Sequence, residues 1–210
     1  MESLEIPPFS GNKAKKLVIL FHGLASNGED LLGLVPFFHK GLPDVHFYSP
    51  NGVEEFDMGP YGYQWFSLRD REYETVKQNV YKSEQKIISL IEKKLLELDL
   101  GYEDLTLIGF SQGAMLSLYL AHKLDKKIQS VVAFSGAFYP PEIVSNKSTP
   151  ICLIHGMQDE VVSFDSLSQA ENILREIGTQ VEVHGLDNLG HSIDLRGIEI
   201  AQNFIIKHMR

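Results

Sequence analysis

A five-residue stretch, Gly-Phe-Ser-Gln-Gly at 109–113, constrains the fold of this chain more than any other part of its sequence. It lies between an apolar run at 105–108, with the length of a buried strand, and an apolar run at 114–124, with the length of a helix. Glycine on both sides of a serine permits a turn so tight that larger side chains would collide with neighbouring backbone. We therefore predict a strand that turns sharply into a helix, with Ser111 exposed above the helix N-terminus.

Predicted strands and helices alternate along the rest of the chain. Apolar and β-branched runs predict strands at 17–21, 45–48, 105–108, 129–134, 151–154 and 181–183. Helical spacing of apolar residues predicts helices at 28–39, 80–98, 114–124, 167–177 and 193–208, with Pro36 breaking or ending the first and Gly101 and Gly178 as later stops. A short strand at 3–6 is expected to pair with the strand at 17–21 through a turn at 10–12.

This order of elements indicates the fold class. Strands that alternate with helices form a mostly parallel sheet that helices cover on both faces. A serine on a sharp strand-to-helix turn is typical of the nucleophile elbow of the α/β-hydrolase fold. A length of 210 residues suits one domain with a sizeable core. We therefore predict a single α/β-hydrolase domain over residues 1–210.

The composition argues against several classes of function. A net charge of −9 is unfavourable for binding to nucleic acid or anionic lipid, so neither is expected as a partner. The first residues lack the pattern of a signal peptide, and no apolar run is long enough to cross a bilayer. Cys152, the one cysteine, lies in an apolar run and is predicted to be a buried, inert thiol. A cytoplasmic, reducing location is expected.

The segment at 51–72 has no clear periodicity and is dense in aromatic residues. Two interpretations remain open: a hydrophobic wall or lid over an acyl chain, or a loop packed for stability. Trp65 and Phe66 are the candidate substrate contacts in this lid-like segment. An exposed aromatic loop can also form a dimer face, so the sequence is consistent with a monomer or a homodimer.

A serine hydroxyl needs an adjacent base, oriented by a third group, to become a useful nucleophile near neutral pH. In this fold the acid and then the base follow the serine along the chain, in loops after later strands. Asp159 follows the predicted strand at 151–154 and is the candidate acid for Ser111. Three other acids fit this position less well: Asp165, Asp187 and Glu160.

The candidate base is His191, which lies between the last predicted strand and the closing helix. Gly190 precedes it and permits a sharp approach of the loop. His184 is the alternative, although it is predicted to be the last residue of its strand. Further histidines are interpreted as structural: His39, His46, His122 and His208.

Acyl transfer also needs two preorganised N–H donors for the oxyanion. The backbone amide of Gln112, next to the serine, is one candidate, and the loop after the strand at 17–21 supplies the backbone amide of Leu24 as the other. His22 is expected to shape this loop rather than to titrate during the reaction. No metal site or nucleotide-binding loop is predicted, because the histidine spacing and glycine pattern match neither.

Several motifs beside Gly-Phe-Ser-Gln-Gly are characteristic of one family. They are Leu20-Phe21-His22-Gly23-Leu24, Trp65-Phe66, His155-Gly156-x-x-Asp159-x-Val161-Val162 and Gly190-His191. On these motifs the chain resembles the phospholipase/carboxylesterase family of small serine hydrolases, which includes bacterial carboxylesterases and acyl-protein thioesterases. The resemblance runs from about residue 17 to the closing helix and so covers nearly the whole chain.

The resemblance implies hydrolysis of carboxylic esters or thioesters without a cofactor, on substrates such as acyl-proteins, lysophospholipids and small esters. It implies a triad of Ser111, Asp159 and His191, and backbone oxyanion donors at Leu24 and Gln112. Two positions depart from the common family pattern without touching a reacting atom: Ala114 and Ser163. Members vary most in the lid-like segment, so the preferred acyl length stays open.

Two other functions remain open on the sequence alone. One is a hydrolase of another class on the same fold, such as a peptidase or a small-metabolite hydrolase, because a fold does not determine its substrate. The other is a catalytically inactive module that holds a lipid or a partner in the acyl pocket. The presence of all three candidate triad residues argues against inactivity, and the small size favours compact acyl substrates.

Overall fold

The computed structural model describes residues 4–38 and 41–209, and strands of two sheets lie within them. The strands are β1 (Glu5–Ile6), β2 (Lys16–Phe21), β3 (Val45–Tyr48), β4 (Glu54–Glu55), β5 (Tyr63–Gln64), β6 (Leu105–Phe110), β7 (Ser130–Phe134), β8 (Ile151–Gly156) and β9 (Val181–Leu186). Seven of them form one sheet in the order β1-β3-β2-β6-β7-β8-β9, in which only the β1–β3 pair is antiparallel. The predicted mostly parallel sheet is therefore confirmed.

Helices cover both faces of this sheet. They are α1 (Gly28–Leu32), α2 (Val35–Phe38), α3 (Tyr73–Leu98), α4 (Gln112–Lys123), α5 (Asp165–Ile177) and α6 (Leu195–His208). Because side chains alternate along a strand, Leu17 and Ile19 enter the core layer beneath α3, α4 and α5, whereas Val18 enters the layer beneath α1, α2 and α6. Along the described residues, no helix is both long and apolar enough for a membrane span.

The central helix, α4, is the element that positions the predicted site. It packs against β2, β6 and β7 in the middle of the sheet. Its residues are buried from Gln112 to His122, which explains an apolar pattern that runs nearly all round the helix. Its N-terminus therefore lies fixed at the carboxyl edge of β6, where open α/β sheets hold their ligands.

The first strand corrects one prediction. β1 does not pair with β2; Glu5 lies opposite Tyr48 of the antiparallel neighbour β3. Both edges of β2 are already occupied, by β3 and by β6, so β1 can add only at the free edge of β3. The part of the predicted strand at residue 3 lies outside the described residues.

The helix predicted over 28–39 is two short helices. α1 ends at Leu32 and α2 begins at Val35, so the break precedes Pro36. Pro36 lies in the first turn of α2, where a missing N–H group costs no intrahelical hydrogen bond. His39, interpreted as structural, lies outside the described residues.

The helix predicted over 80–98 starts earlier and ends with a different residue. α3 begins at Tyr73, and its last turn closes at Asp99, which takes the left-handed conformation with φ of 57°. The amide of Leu100 then donates to the carbonyl of Leu95, so the helix has ended before Gly101. The predicted stop of α5 is confirmed, because Gly178 caps it with φ of 88°.

Candidate active site

The turn from β6 into α4 has the predicted geometry. Ser111 takes φ of 53° and ψ of −114°, and its amide donates to the carbonyl of Phe134 at 2.8 Å. A Cβ at Gly113 would lie 1.9 Å from the carbonyl oxygen of Phe21, and one at Gly109 would lie 2.2 Å from the carbonyl oxygen of Gly113. Both contacts are impossible for a side chain, so glycine is required on each side of this strained serine.

A cavity of about 730 Å³ opens above this turn at the carboxyl edge of the sheet. Ser111 and His191 both line it, together with Leu24 from the loop after β2. Three of the residues singled out in the sequence are therefore brought to one cavity from distant parts of the chain. Most other lining side chains are apolar, which is the usual character of a small-molecule site.

Asp159 holds the ring of His191. The Nδ1 atom of His191 lies 2.7 Å from Oδ2 of Asp159, and Oδ1 of Asp159 accepts the backbone amides of Val161 and Val162 at 2.9 Å each. Burial on its own raises the pKa of the Asp159 carboxyl, but the His191 hydrogen bond and the two amides outweigh it and lower that pKa. The carboxylate therefore stays ionised near neutral pH and accepts the Nδ1 proton.

This pairing fixes the tautomer of His191. With its proton on Nδ1, the neutral ring presents an unprotonated Nε2 that is able to accept a proton. The ring also packs against Phe110, with 4.8 Å between the ring centroids. Orientation of the base thus comes from one hydrogen bond and one aromatic contact.

A second histidine, named in the sequence only as part of a family motif and given no role there, supports the same carboxylate. Nε2 of the buried His155 lies 2.9 Å from the carbonyl oxygen of Val162 and 3.3 Å from Oδ2 of Asp159. Both partners are acceptors, so this nitrogen must carry a proton. His155 therefore holds the acid loop closed and directs a fourth N–H group towards Asp159.

The loops of the acid and the base touch directly. The amide of Gln158 donates to the carbonyl of Leu189 at 2.9 Å. A Cβ at Gly156 would lie 2.3 Å from the carbonyl oxygen of Gly190, so this close approach needs glycine at 156. In the sequence this residue is only a glycine that follows a predicted strand. Nothing there indicates which loop it approaches.

The competing acids and bases lie elsewhere. Asp165 is the first residue of α5, and Oδ1 of Asp187 pairs with Nη1 of Arg196 at 2.6 Å. Glu160 is exposed. His184 is an interior residue of β9, not its last residue as predicted, because that strand continues to Leu186.

The loop after β2 is shaped by a neutral histidine, as predicted. Nδ1 of His22 donates to the carbonyl of Gly23 at 2.7 Å, and Nε2 accepts the amide of Gly52 at 2.8 Å. Burial lowers the pKa of His22, which keeps this single tautomer in place. Leu24 follows Gly23 in this loop and lines the cavity, and Gln112 is the first residue of α4.

Trp65 and Phe66 were predicted as substrate contacts, and the structure corrects this. Both side chains are fully buried in the core layer of α3, α4 and α5, and neither lines the cavity. Trp65 donates from Nε1 to the carbonyl of His22 at 2.9 Å. From the lid-like segment, Leu68 and Arg71 reach the cavity instead. Aromatic character alone cannot separate these two placements.

The side chain of Gln112 ties the lid-like segment to the turn. Its Oε1 accepts the amide of Trp65 at 2.9 Å, and its Nε2 donates to the carbonyl of Phe66 at 2.7 Å. Gln112 is fully buried, so both backbone groups depend on it for their hydrogen bonds. The residue after Ser111 therefore connects the serine turn to the segment at 51–72.

Replacing Gln112 with methionine should lower the free energy of unfolding by about 2–5 kcal/mol, because two buried backbone groups lose their partners. Gln129→Met is the matched control, since within the described chain the side-chain amide of Gln129 has no hydrogen-bond partner. That variant should be neutral or stabilising. Denaturant titration of both variants measures the difference, and equal losses would contradict the role of Gln112.

Few groups are available for metal or thiol chemistry. Among residues 4–38 and 41–209, no three histidine, cysteine, aspartate or glutamate side chains gather in a way that could hold a metal ion. Cys152 is fully buried, and burial raises the pKa of its thiol to about 12, as expected for an inert core cysteine.

A serine on a strained strand-to-helix turn, above a mostly parallel sheet and beside an Asp–His pair, is the arrangement that defines the α/β-hydrolases. Within this class the assignment is more specific. The sequence model of the family described as Phospholipase/Carboxylesterase matches residues 8–209, so the chain belongs to that family. It is accordingly an enzyme of the carboxylesterase class of hydrolases.

Individual relatives agree with this family. Esterase YpfH of Escherichia coli (strain K12) is 28% identical over 94% of this chain and 83% of its own length. Acyl-protein thioesterase 1 of Debaryomyces hansenii is 30% identical over 91% of this chain and 90% of its own length. Among solved structures, esterase PE8 superposes with a TM-score of 0.90 at 32% identity, covering 98% of this chain and 97% of that one.

Proposed function

We propose that this protein is a serine esterase and thioesterase that works through an acyl-enzyme intermediate. Ser111 is the nucleophile, His191 the general base and acid, and Asp159 the group that orients His191. The observation that carries the proposal is the 2.7 Å contact between Asp159 and His191, which leaves Nε2 of His191 available in the cavity that Ser111 also lines.

Acylation begins when Oγ of Ser111 attacks the acyl carbonyl and passes its proton to Nε2 of His191. The ionised Asp159 stabilises the imidazolium that forms. The carbonyl oxygen becomes an oxyanion, for which the backbone amides of Leu24 and Gln112 are the donors. Collapse of this intermediate breaks the bond to the leaving alcohol or thiol, which takes the proton from His191.

Deacylation repeats the same steps with water. His191 takes a proton from water as its oxygen attacks the acyl-serine, and the same two amides stabilise the second oxyanion. Breaking the bond to Oγ releases the carboxylic acid, and Ser111 recovers its proton from His191. The positive end of α4 also favours the oxyanion, because the serine lies at the N-terminus of that helix.

Acyl substrates suit the cavity because most of its lining is apolar. Leu31, Leu34, Met115 and Val162 offer surface for an acyl chain. Relatives named esterase and acyl-protein thioesterase support carboxylic esters and acyl thioesters as the substrate class. A ladder of acyl esters and matched thioesters, from acetyl to palmitoyl, would establish the preferred length through kcat/KM. A flat profile at background rates across both ladders would count against the proposal.

A fluorophosphonate probe should label this protein once, at Ser111, because only an activated serine attacks phosphorus rapidly. Intact mass measurement would report the stoichiometry, and peptide mapping would locate the modified residue. The His191→Ala protein is the control and should react far more slowly, since its serine lacks a base. Rapid labelling of another serine would contradict the assignment.

A further inference from the structure

The cavity has two walls that belong to the two helical layers. One wall comes from the layer of α3, α4 and α5, and the other from the layer of α1, α2 and α6. Apolar residues of the first wall are Leu68, Val76, Met115, Ala137 and Tyr139. Those of the second are Leu31, Leu34, Phe110 and Ile193. A substrate held at Ser111 therefore extends along two different surfaces.

Arg71, just before α3, is the one lysine or arginine that lines the cavity in the described chain. Its guanidinium makes no hydrogen bond or ion pair with any described residue. The other arginines of the described residues are engaged with carboxylates: Arg69 with Asp57, Arg175 with Glu171, and Arg196 with Asp187 and Asp194. Arg71 is exposed at the cavity, so its guanidinium is available to a bound substrate.

Two neighbouring acids make their hydrogen bonds and ion pairs with groups other than Arg71. The carboxylate of Asp70 accepts the amide of Glu72 at 2.9 Å and the hydroxyl of Thr75 at 2.9 Å. The carboxylate of Glu74 lies 3.7 Å from Nζ of Lys77. Two of the acids closest to Arg71 in the sequence are thus already used by other groups.

Tyr139 adds a neutral donor beside Arg71. Burial is the main cause that raises the pKa of the Tyr139 hydroxyl, Tyr73 adds to the rise, and the charge of Arg71 opposes it. The phenol therefore stays protonated near neutral pH, and its ring packs on Tyr73 with 5.3 Å between centroids. A guanidinium and a phenol hydroxyl on one wall form a donor set for a carboxylate or phosphate.

The other wall carries the opposite charge. Asp30 of α1 lines the cavity there and accepts the hydroxyl of Ser26 at 2.5 Å. An anionic group of a substrate would be repelled from Asp30 and attracted to Arg71. The two charges therefore favour one orientation of an anionic substrate over Ser111.

We propose that Arg71 is a specificity-determining residue that binds an anionic group of the substrate, a carboxylate or a phosphate carried away from the reacting carbonyl. The proposal rests on the serine esterase function argued above and names the substrate class within it. An apolar stretch of the substrate lies along Leu68, Val76 and Met115, and its charged end reaches Arg71 and Tyr139.

The test compares an anionic ester with a neutral ester of the same length. The 4-nitrophenyl monoester of adipic acid is paired with the same ester methylated at its free carboxylate. The kcat/KM ratio, anionic over neutral, should fall about tenfold in Arg71→Gln, because one charge-assisted hydrogen bond is lost. Hydrolysis of the neutral ester should stay unchanged, which also reports that the variant is folded.

Arg69→Gln is the matched control, since it removes the same charge two positions earlier from a side chain that does not line the cavity. Its ratio should equal that of the wild-type protein. An equal fall in both variants would overturn the proposal, and so would a ratio that Arg71→Gln leaves unchanged both in this pair and in the leaving-group pair described next. So would an equal loss on both esters in Arg71→Gln, because that pattern indicates a structural role.

A second substrate pair separates the two possible positions of the anion. The hexanoate esters of 4-hydroxybenzoic acid and of methyl 4-hydroxybenzoate carry the charge on the leaving group instead of the acyl group. If Arg71→Gln lowers the anionic-over-neutral ratio in just one of the two pairs, the anion lies in the half of the substrate that carries the charge in that pair. If the ratio is unchanged in both pairs, the site is rejected. A failure of the proposed serine mechanism is distinguishable from a failure of the Arg71 site. In the first case the Ser111→Ala protein would still hydrolyse the neutral ester.

Discussion

Ser111→Ala should lower kcat for acyl ester hydrolysis by about 10⁴-fold or more, with little change in KM. The reaction would lose the oxygen that forms the acyl-enzyme, while the oxyanion amides and the apolar walls would still bind the ester. The substitution removes one hydroxyl from a strained turn whose backbone bond to Phe134 does not involve that hydroxyl. The free energy of unfolding should therefore change by less than about 1 kcal/mol.

Ser166→Ala gives the comparison, since Ser166 also lines the cavity but lies in α5. That variant should keep wild-type kinetics within about twofold, in line with most substitutions outside a reacting centre. Steady-state assays of both purified proteins on one neutral ester measure the contrast. Turnover by Ser111→Ala within tenfold of wild type would assign the nucleophile to another residue.

Strands and their order along the chain were predictable because their signals are local. The apolar run at 45–48 is β3 without any adjustment, β6 and β8 each extend the predicted run by two residues, and β7 starts one residue later than predicted. Burial on both faces of a parallel sheet produces continuous apolar runs, which a sequence displays directly. The turn at Ser111 was predictable for a similar reason, since its glycines carry a steric requirement.

Pairing partners and helix starts were less predictable. β1 pairs with β3 and not with β2 because β3 has the free edge of the sheet. No local sequence pattern indicates which edge is free. The first turns of α3, from Tyr73, carry mostly polar side chains and therefore no apolar stripe. The left-handed end of the same helix uses Asp99, a residue type that tolerates this conformation less often than glycine.

Supporting residues of the candidate site were the hardest to predict. Chain order and loop position identified Asp159 and His191 as neighbours, and the structure brings them together. His155 depends on the fold of its own loop, which brings the carbonyl at 162 to its ring, and Gln112 binds backbone at 65–66, far away in the sequence. Trp65 was misplaced because a buried aromatic residue and a substrate contact look alike in a sequence.

Asp159→Asn should lower kcat by about 10⁴-fold through the tautomer of His191, the mechanism by which such a substitution acts in serine proteases. The side-chain oxygen of the asparagine would keep the hydrogen bonds from the amides of Val161 and Val162, because these N–H groups can donate to that oxygen but not to the NH₂ group. Its amide nitrogen would then face Nδ1 of His191 and donate to it. The ring proton would move to Nε2. This is the atom that must be unprotonated for His191 to accept the proton of Ser111.

The same substitution would also place a donor against a donor. Nε2 of His155 lies 3.3 Å from the Asp159 oxygen that would become nitrogen, and it already carries a proton for the Val162 carbonyl. We expect a loss of about 1–3 kcal/mol in the free energy of unfolding, in addition to the kinetic defect. Urea titration measures this loss separately from kcat.

Asp165→Asn is the control for Asp159→Asn. It tests whether the loss of any nearby carboxylate lowers kcat, or only the loss of the one that orients His191. Asp165 lies six residues further on, at the exposed start of α5, so its substitution should leave kcat within about twofold of wild type. If Asp159→Asn retained more than a tenth of wild-type kcat, the 2.7 Å contact with His191 would be structural rather than catalytic. A large kinetic loss together with unchanged KM would show that Asp159 acts on the chemical step and not on substrate binding, because ground-state binding does not use Asp159.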